Sequence, residues 1–315
     1  MNKLNQTAAP LVADIVAQAD MLRVAVHHPG GAVVVDCGVA TPGGLEAGRR
    51  LAEVTMAGLG QVQLAPADRQ RIEMPLVTVR TDHPVAACMG SQYAGWQVQV
   101  GDFFAMGSGP MRAVGSREPL IDELQFRQSS TVAIGVLEAS QLPGEEVCDM
   151  LAQACGVPAA GLSLLVAPTN SQAGNVQVVA RSVETALHKL HELGFDLSRI
   201  ESGWGTAPLP PVAADPLAGI GRTNDAILYG GHALLYVRGD DDSLRQIGPQ
   251  TPSSASDDHG EPFADLFARY DHDFYKIDKL LFSPAMVTFV NLDTGRTHRF
   301  GNYEPSILRH SFIGS

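Results

Sequence analysis

An arginine and a glutamate three positions apart, Arg181 and Glu184, stand in the stretch Asn175–Leu193, which reads NVQVVARSVETALHKLHEL. At about 100° per residue, the apolar residues Val176, Val179, Ala180, Val183, Ala186, Leu187 and Leu190 fall on one helical face. Gln177, Arg181, Glu184 and His188 fall on the opposite face. Side chains three apart on a helix are neighbours. Such a pair is either a solvated ion pair that adds little to stability or a carboxylate base beside the guanidinium that orients it. The two residues alone leave both readings open.

Other groups could also do chemistry. The segment FAMGSGPMRAVG (104–115) sets Ser108 and Arg112 among Gly107, Gly109 and Gly115. Glycines let a ligand approach the backbone, and exposed amides can hold an anion. The lysine of a P-loop and the third glycine of a dinucleotide fingerprint are missing, so a structural turn is the plainer reading. In GRTNDAILYGG (221–231), Arg222, Thr223, Asn224 and Asp225 precede an apolar run. They either cap a helix or hydrogen-bond a heterocycle. Ser91 and Cys88 lie in DHPVAACMGSQYAGW with His83 and Tyr93, where a buried thiol is plainer than a nucleophile. Asp257, Asp258, His259, Asp271, His272 and Asp273 suggest a metal, but no H-E-x-x-H or H-x-H spacing supports one. Tyr270–Lys279 mixes aromatics, acids, Lys276 and Lys279. It suits the wall of a pocket for a flat polar ligand, or an interface.

These residues need a framework, and 315 residues predict two domains rather than one core. Their expected extents are about 1–140 and 141–315, with room for the two to be intertwined. A composition of 45% apolar and 18% charged residues fits a globular protein. A net charge of −12 argues against nucleic acid as a partner. Cys37, Cys88, Cys148 and Cys155 form no C-x-x-C pair. The opening MNKLNQTAAPLVADIVAQAD has acids and amides where a secretory signal is apolar. A reducing, cytoplasmic setting with free thiols is expected. No apolar run reaches the roughly 20 residues of a membrane span.

Periodicity predicts helices from Leu4 to Ala19, over 44–57 and 145–154, at Asn175–Leu193 ending on Gly194, and over 262–270. Strands are predicted at 21–27, 32–37, 76–81, 97–100, 131–137, 162–166 and 233–238, and a closing hairpin at 286–300 turns on Asp293-Thr294-Gly295. Residues 248–260 read as a loop. The order lacks a strict β-α-β rhythm, which favours an α+β or mixed-sheet α/β fold.

Five blocks carry a family resemblance: ACMGSQYAGW (87–96), AMGSGPMRA (105–113), ARSVET (180–185), GRTNDAILYGG (221–231) and PSSASDDHGEPFADLFARYDHDFYKIDKLLFSPA (252–285). In order and together, they resemble the methenyltetrahydromethanopterin cyclohydrolases of methanogens and methylotrophic bacteria. The resemblance implies two α/β domains enclosing a substrate pocket, a homotrimer, and no prosthetic group or metal. It implies hydrolysis of a cyclic methenyl cation to formyltetrahydromethanopterin, in formaldehyde oxidation or methanogenesis. The tetrahydromethanopterin derivative is then a substrate that carries the one-carbon unit. The family's catalytic arginine and glutamate match Arg181 and Glu184. Glu184 would shuttle the proton, and Arg181 would orient the carboxylate and keep it ionised in a closed pocket. Ser91, Ser108, Asn224 and Asp225 would bind the pterin edge, and Arg112 and Lys276 would meet an acidic tail. A metal-dependent hydrolase built on the 257–273 tract, or a non-catalytic pterin-binding oligomeric protein, are the alternatives.

Overall fold

The computed structural model describes residues 3–69, 71–273 and 276–314. Phe274 and Tyr275 of the 270–279 tract lie outside the described residues. The chain divides into two compact units, 1–60 with 86–177 and 61–85 with 178–315.

The first unit is built on a six-stranded sheet in the order β1-β2-β8-β7-β6-β5. Its strands are β1 (Ala25–His27), β2 (Val33–Asp36), β5 (Trp96–Val100), β6 (Phe103–Ser108), β7 (Ala133–Glu138) and β8 (Leu162–Ala167). The central strands β2, β8 and β7 run parallel, with Val34 beside Leu164 and Leu165 beside Val136. Its helices are α1 (Leu4–Ala17), α2 (Ala19–Leu22), α3 (Leu45–Thr55), α4 (Arg112–Gly115), α5 (Pro119–Glu123), α6 (Glu145–Cys155) and α7 (Gln172–Val179). Alternate strand residues feed two cores. Val34, Leu164 and Leu137 pack with Val147, Leu151 and Cys155 of α6. Val35, Leu165 and Val136 pack with Val12 of α1 and Leu51 of α3. Strands buried on both faces read as continuous apolar runs, which is why β7 and β8 stand out in the sequence.

The second unit carries a sheet in the order β12-β11-β10-β9-β4-β3. These strands are β3 (Gly60–Ala65), β4 (Leu76–Thr81), β9 (Ile200–Pro208), β10 (His232–Val237), β11 (Met286–Asn291) and β12 (Thr297–Gly301). Its helices are α8 (Ser182–Glu192), α9 (Pro216–Gly230), α10 (Asp241–Ile247), α11 (Phe263–Arg269) and α12 (Pro305–Ile313). Helix α8 packs on β9 and β10, while α11 and α12 pack on α9. No helix among the described residues is long and apolar enough to cross a membrane.

The mixed α/β expectation matches this architecture. Four local differences are informative. Residues 21–27 are not one strand: Ala19–Leu22 is a helical turn, Arg23 takes φ +56°, and only Ala25–His27 pairs. Strands β3 and β6 were not expected. The helix expected over Asn175–Leu193 is two helices, broken at Ala180 and Arg181. The expected extents put one cut near residue 140 with room for the domains to be intertwined, and the two compact units interleave along the chain. Such a cut would part β7 from β8, which are hydrogen-bonded neighbours.

Candidate active site

Arg181 is the residue just before α8, with φ −94° and ψ 10°. Its own N–H bonds the Val178 carbonyl at 3.2 Å, a tightened last turn of α7. Its carbonyl accepts the Thr185 amide at 2.9 Å and the Thr185 hydroxyl at 3.0 Å, which begins α8. Glu184 therefore lies in the first turn of α8. A helix start has unsatisfied amides and a positive dipole end, so it favours a carboxylate.

Both side chains are buried. Arg181 is 7% and Glu184 4% exposed, and Gln177 of α7 is 1% exposed. The apolar face is equally closed, with Val176, Val179, Val183, Leu187 and Leu190 at 0%. A solvated surface pair is thereby excluded. Arg181 Nη1 approaches Glu184 Oε2 to 3.8 Å, an ion-pair separation longer than a hydrogen bond. His188, one turn on, sits 3.7 Å from Glu192 instead.

In the first unit, Ser91, Ser108 and Arg112 gather around a π-helical segment, Val85–Gln92. The Ser91 hydroxyl donates to the Thr55 carbonyl at 2.5 Å, and its own carbonyl accepts the Gly109 amide at 2.9 Å. The Ser108 hydroxyl donates to the Val136 carbonyl at 3.3 Å. Arg112 is wholly buried. It forks onto Glu118 at 2.6 and 2.9 Å, donates to the Met89 and Ser91 carbonyls at 3.0 and 3.2 Å, and lies over the Tyr93 ring at 5.0 Å. Every guanidinium nitrogen is thus engaged within the unit, where Arg112 clamps this loop. The glycines serve packing: a methyl on Gly107 would stand 2.9 Å from Met111 Cε, and one on Gly115 2.8 Å from the Trp96 ring.

In the second unit, Asn224 and Asp225 do not cap a helix. They lie inside α9, whose cap is Asp215, accepting the Ala218 amide at 2.9 Å ahead of Pro216. Asn224 donates to the Ile220 carbonyl at 2.9 Å. Asp225 is fully buried and accepts the Phe263 amide at the start of α11 at 2.8 Å. Burial pushes its carboxyl up to about 7. Lys276 is exposed and pairs with Asp271 at 3.3 Å.

The acidic tract holds its own loop. Asp258 accepts from Arg269 at 2.9 Å, Tyr270 at 2.8 Å and the Asp278 amide at 2.9 Å. His272 stacks edge-on against Phe267, and His259 packs on Tyr229. Among the described residues, no group of three or more His, Cys, Asp or Glu side chains is arranged to hold a metal ion. Lys189 was missed by sequence reasoning. It is 1% exposed on α8, and its ammonium donates to the Leu280 carbonyl. Its only signal was its place between Ala186 and Leu190 on a buried helix.

The sequence model of the family described as Cyclohydrolase (MCH) matches residues 3–312. A protein named methenyltetrahydromethanopterin cyclohydrolase from Xanthobacter autotrophicus is 47% identical over 97% of this chain and 91% of its own length. One of the same name from Rhodopirellula baltica is 49% identical over 90% and 86%, and one from Methanospirillum hungatei is 40% identical over 99% of both. The chain belongs to the methenyltetrahydromethanopterin cyclohydrolase family. In this cyclohydrolase fold the blocks of likeness fall on defined elements. ACMGSQYAGW forms most of the π-helical segment and leads into β5, and ARSVET forms the helix break and the first turn of α8. GRTNDAILYGG is the last ten residues of α9 and the glycine that follows it.

Proposed function

We propose that this protein hydrolyses methenyltetrahydromethanopterin to formyltetrahydromethanopterin, with Glu184 as the proton-transferring base and Arg181 as its partner. The observation that carries the reading is a family match along nearly the whole chain, joined to a buried Arg181–Glu184 pair at one helix start. The substrate carbon is an amidinium cation between two nitrogens, so it is electrophilic without help. Water attacks it and loses a proton to Glu184, giving a hydroxylated tetrahedral carbon. Glu184 returns that proton to one nitrogen, the C–N bond breaks, and the hydroxyl becomes the formyl carbonyl as its own proton leaves. One proton is released overall. A single carboxylate suffices for both transfers.

The tetrahydromethanopterin derivative is here a substrate carrying the one-carbon unit, and the reading invokes no prosthetic group. It includes a cytoplasmic homotrimer, which the family resemblance supports. Asn224 and Lys276, half-buried and exposed, remain candidates for pterin and tail contacts. Asp225 would act through the Phe263 backbone that it holds, and Ser91, Ser108 and Arg112 order the backbone of their own loop.

The test is loss of the methenyl chromophore in a spectrophotometric assay, with and without chelator. Glu184→Gln keeps shape and removes the base, so turnover should fall roughly a hundredfold or more with little change in KM. His188→Ala should matter far less. Near-native turnover in Glu184→Gln would return the pair to a structural role, and activity lost to chelator and restored by zinc would establish the metal reading.

A further inference from the structure

Gly203 and Gly205 are two apart on β9 and so share one face of the strand. That face receives α8. A methyl on Gly205 would overlap the Ser182 hydroxyl and stand 2.9 Å from Val183 Cγ2. One on Gly203 would stand 2.7 Å from Val183 Cγ1. Val79 of β4 and Leu235 of β10 wall this bare strip on either side, 3.1 and 3.7 Å from the same methyl positions. Ser182 and Val183 are the first two residues of α8, flanked by Arg181 and Glu184. The turn that carries the reactive pair thus rests on naked strand backbone.

Stability alone does not ask for this. Glycine inside a strand weakens it and marks a close approach. The Ser182 hydroxyl is buried with no hydrogen-bond partner among the described residues, where alanine would avoid an unsatisfied group. What the strip fixes is how deep the turn sits. We propose that Gly205, acting through Ser182, is a positioning residue that sets the depth of the first turn of α8 and thereby holds Glu184 and Arg181 in their reacting position. This rests on Glu184 being the base.

The test is a double-substitution cycle. Gly205→Ala, Ser182→Ala, the double variant and Glu184→Gln are assayed for kcat and KM well below their melting temperatures, with folding checked by circular dichroism. Relieving the Gly205→Ala overlap moves the turn on the order of 1 Å, a displacement that can lower turnover up to about a hundredfold. Gly205→Ala should therefore lose roughly tenfold to a hundredfold in kcat, with KM within about threefold. Ser182→Ala removes the hydroxyl that the new methyl meets, so the double variant should recover kcat to within about threefold of Ser182→Ala. If Gly205→Ala does not fold, Ser182→Thr thickens the same contact from the helix side and should show the same kcat loss. Undiminished kcat in the folded variant, or a double variant that regains its melting temperature but not its kcat, overturns the proposal. The Glu184→Gln arm separates the two ideas. If it turns over normally, the base assignment fails. If it is inactive while Gly205→Ala is fully active, only the positioning role fails.

Discussion

Asp225 shows how burial changes the meaning of a residue. In sequence it is one of four polar residues before an apolar run. In the structure it is sealed between α9 and α11, its carboxylate accepting the Phe263 amide. Its carboxyl titrates near 7 when folded, against an ordinary 3.8, because burial disfavours the charge. Between those values the folded state holds a proton that the unfolded state has released. Asp225 therefore contributes most to stability below about pH 3.8, and that contribution is lost as pH rises through 7. Asp225→Asn keeps an acceptor for Phe263 and cannot ionise. Its melting temperature should improve relative to the parent as pH rises from about 4 to about 8. A difference that stays constant with pH would sink the argument. The Arg181–Glu184 pair was legible in sequence as residue types at the right spacing. Its burial was not, because a helix whose polar stripe faces protein looks the same in sequence as one whose stripe faces water. The fork of Arg112 onto Glu118 was hidden for a related reason: Glu118 is six residues on, outside any helical or strand spacing.

At the scale of elements, α8 is held from the side of the family's longest block. Lys189 donates to the Leu280 carbonyl and Lys279 pairs with Glu192, both fixing residues 279–281 to the helix. Asp278, next to this segment, accepts the Leu280 amide at 3.0 Å and the Ser256 hydroxyl at 2.6 Å. Burial lowers the Lys189 ammonium from 10.5 to about 8, partly opposed by Asp278. Between those values the unfolded chain holds a proton that the folded one has released, so stability rises with pH across that window. Lys189→Met keeps the apolar stem and removes the titration. Denaturant unfolding at several pH values should show the parent gaining on Lys189→Met from about pH 8 to about pH 10.5. A parent that loses ground over that range would refute the assignment. Strands β7, β8 and β10 and the closing hairpin were legible because strand runs and turn residues are local signals. The break at Ala180 and Arg181 was not, since neither residue is a glycine or proline. Strand β6 was hidden by Gly107, which is there to admit Met111.

The whole molecule is organised by an interleaved chain. The order of local elements was readable, but not which strands are neighbours, because β4 pairs with β9 across more than a hundred residues. Family likeness adds an expectation about assembly. Three chains of 33.4 kDa give a particle of about 100 kDa, and light scattering at micromolar concentration should find it. A mass near one subunit would rule the trimer out. The interleaving itself makes a sharper prediction. A fragment of residues 1–140 contains β2 and β7 but lacks β8, the strand that joins them in parallel register. It also carries β4 without β9. Both sheets would then have open edges where the intact protein has central pairings, and apolar residues such as Val35 and Val136 would lose Leu165 from their shared core. Expressed alone, 1–140 should show no cooperative thermal transition and should be degraded rapidly by protease, while the full chain resists. A fragment that melts cooperatively would mean that its strands close a sheet without β8, and that the chain does divide near residue 140 after all.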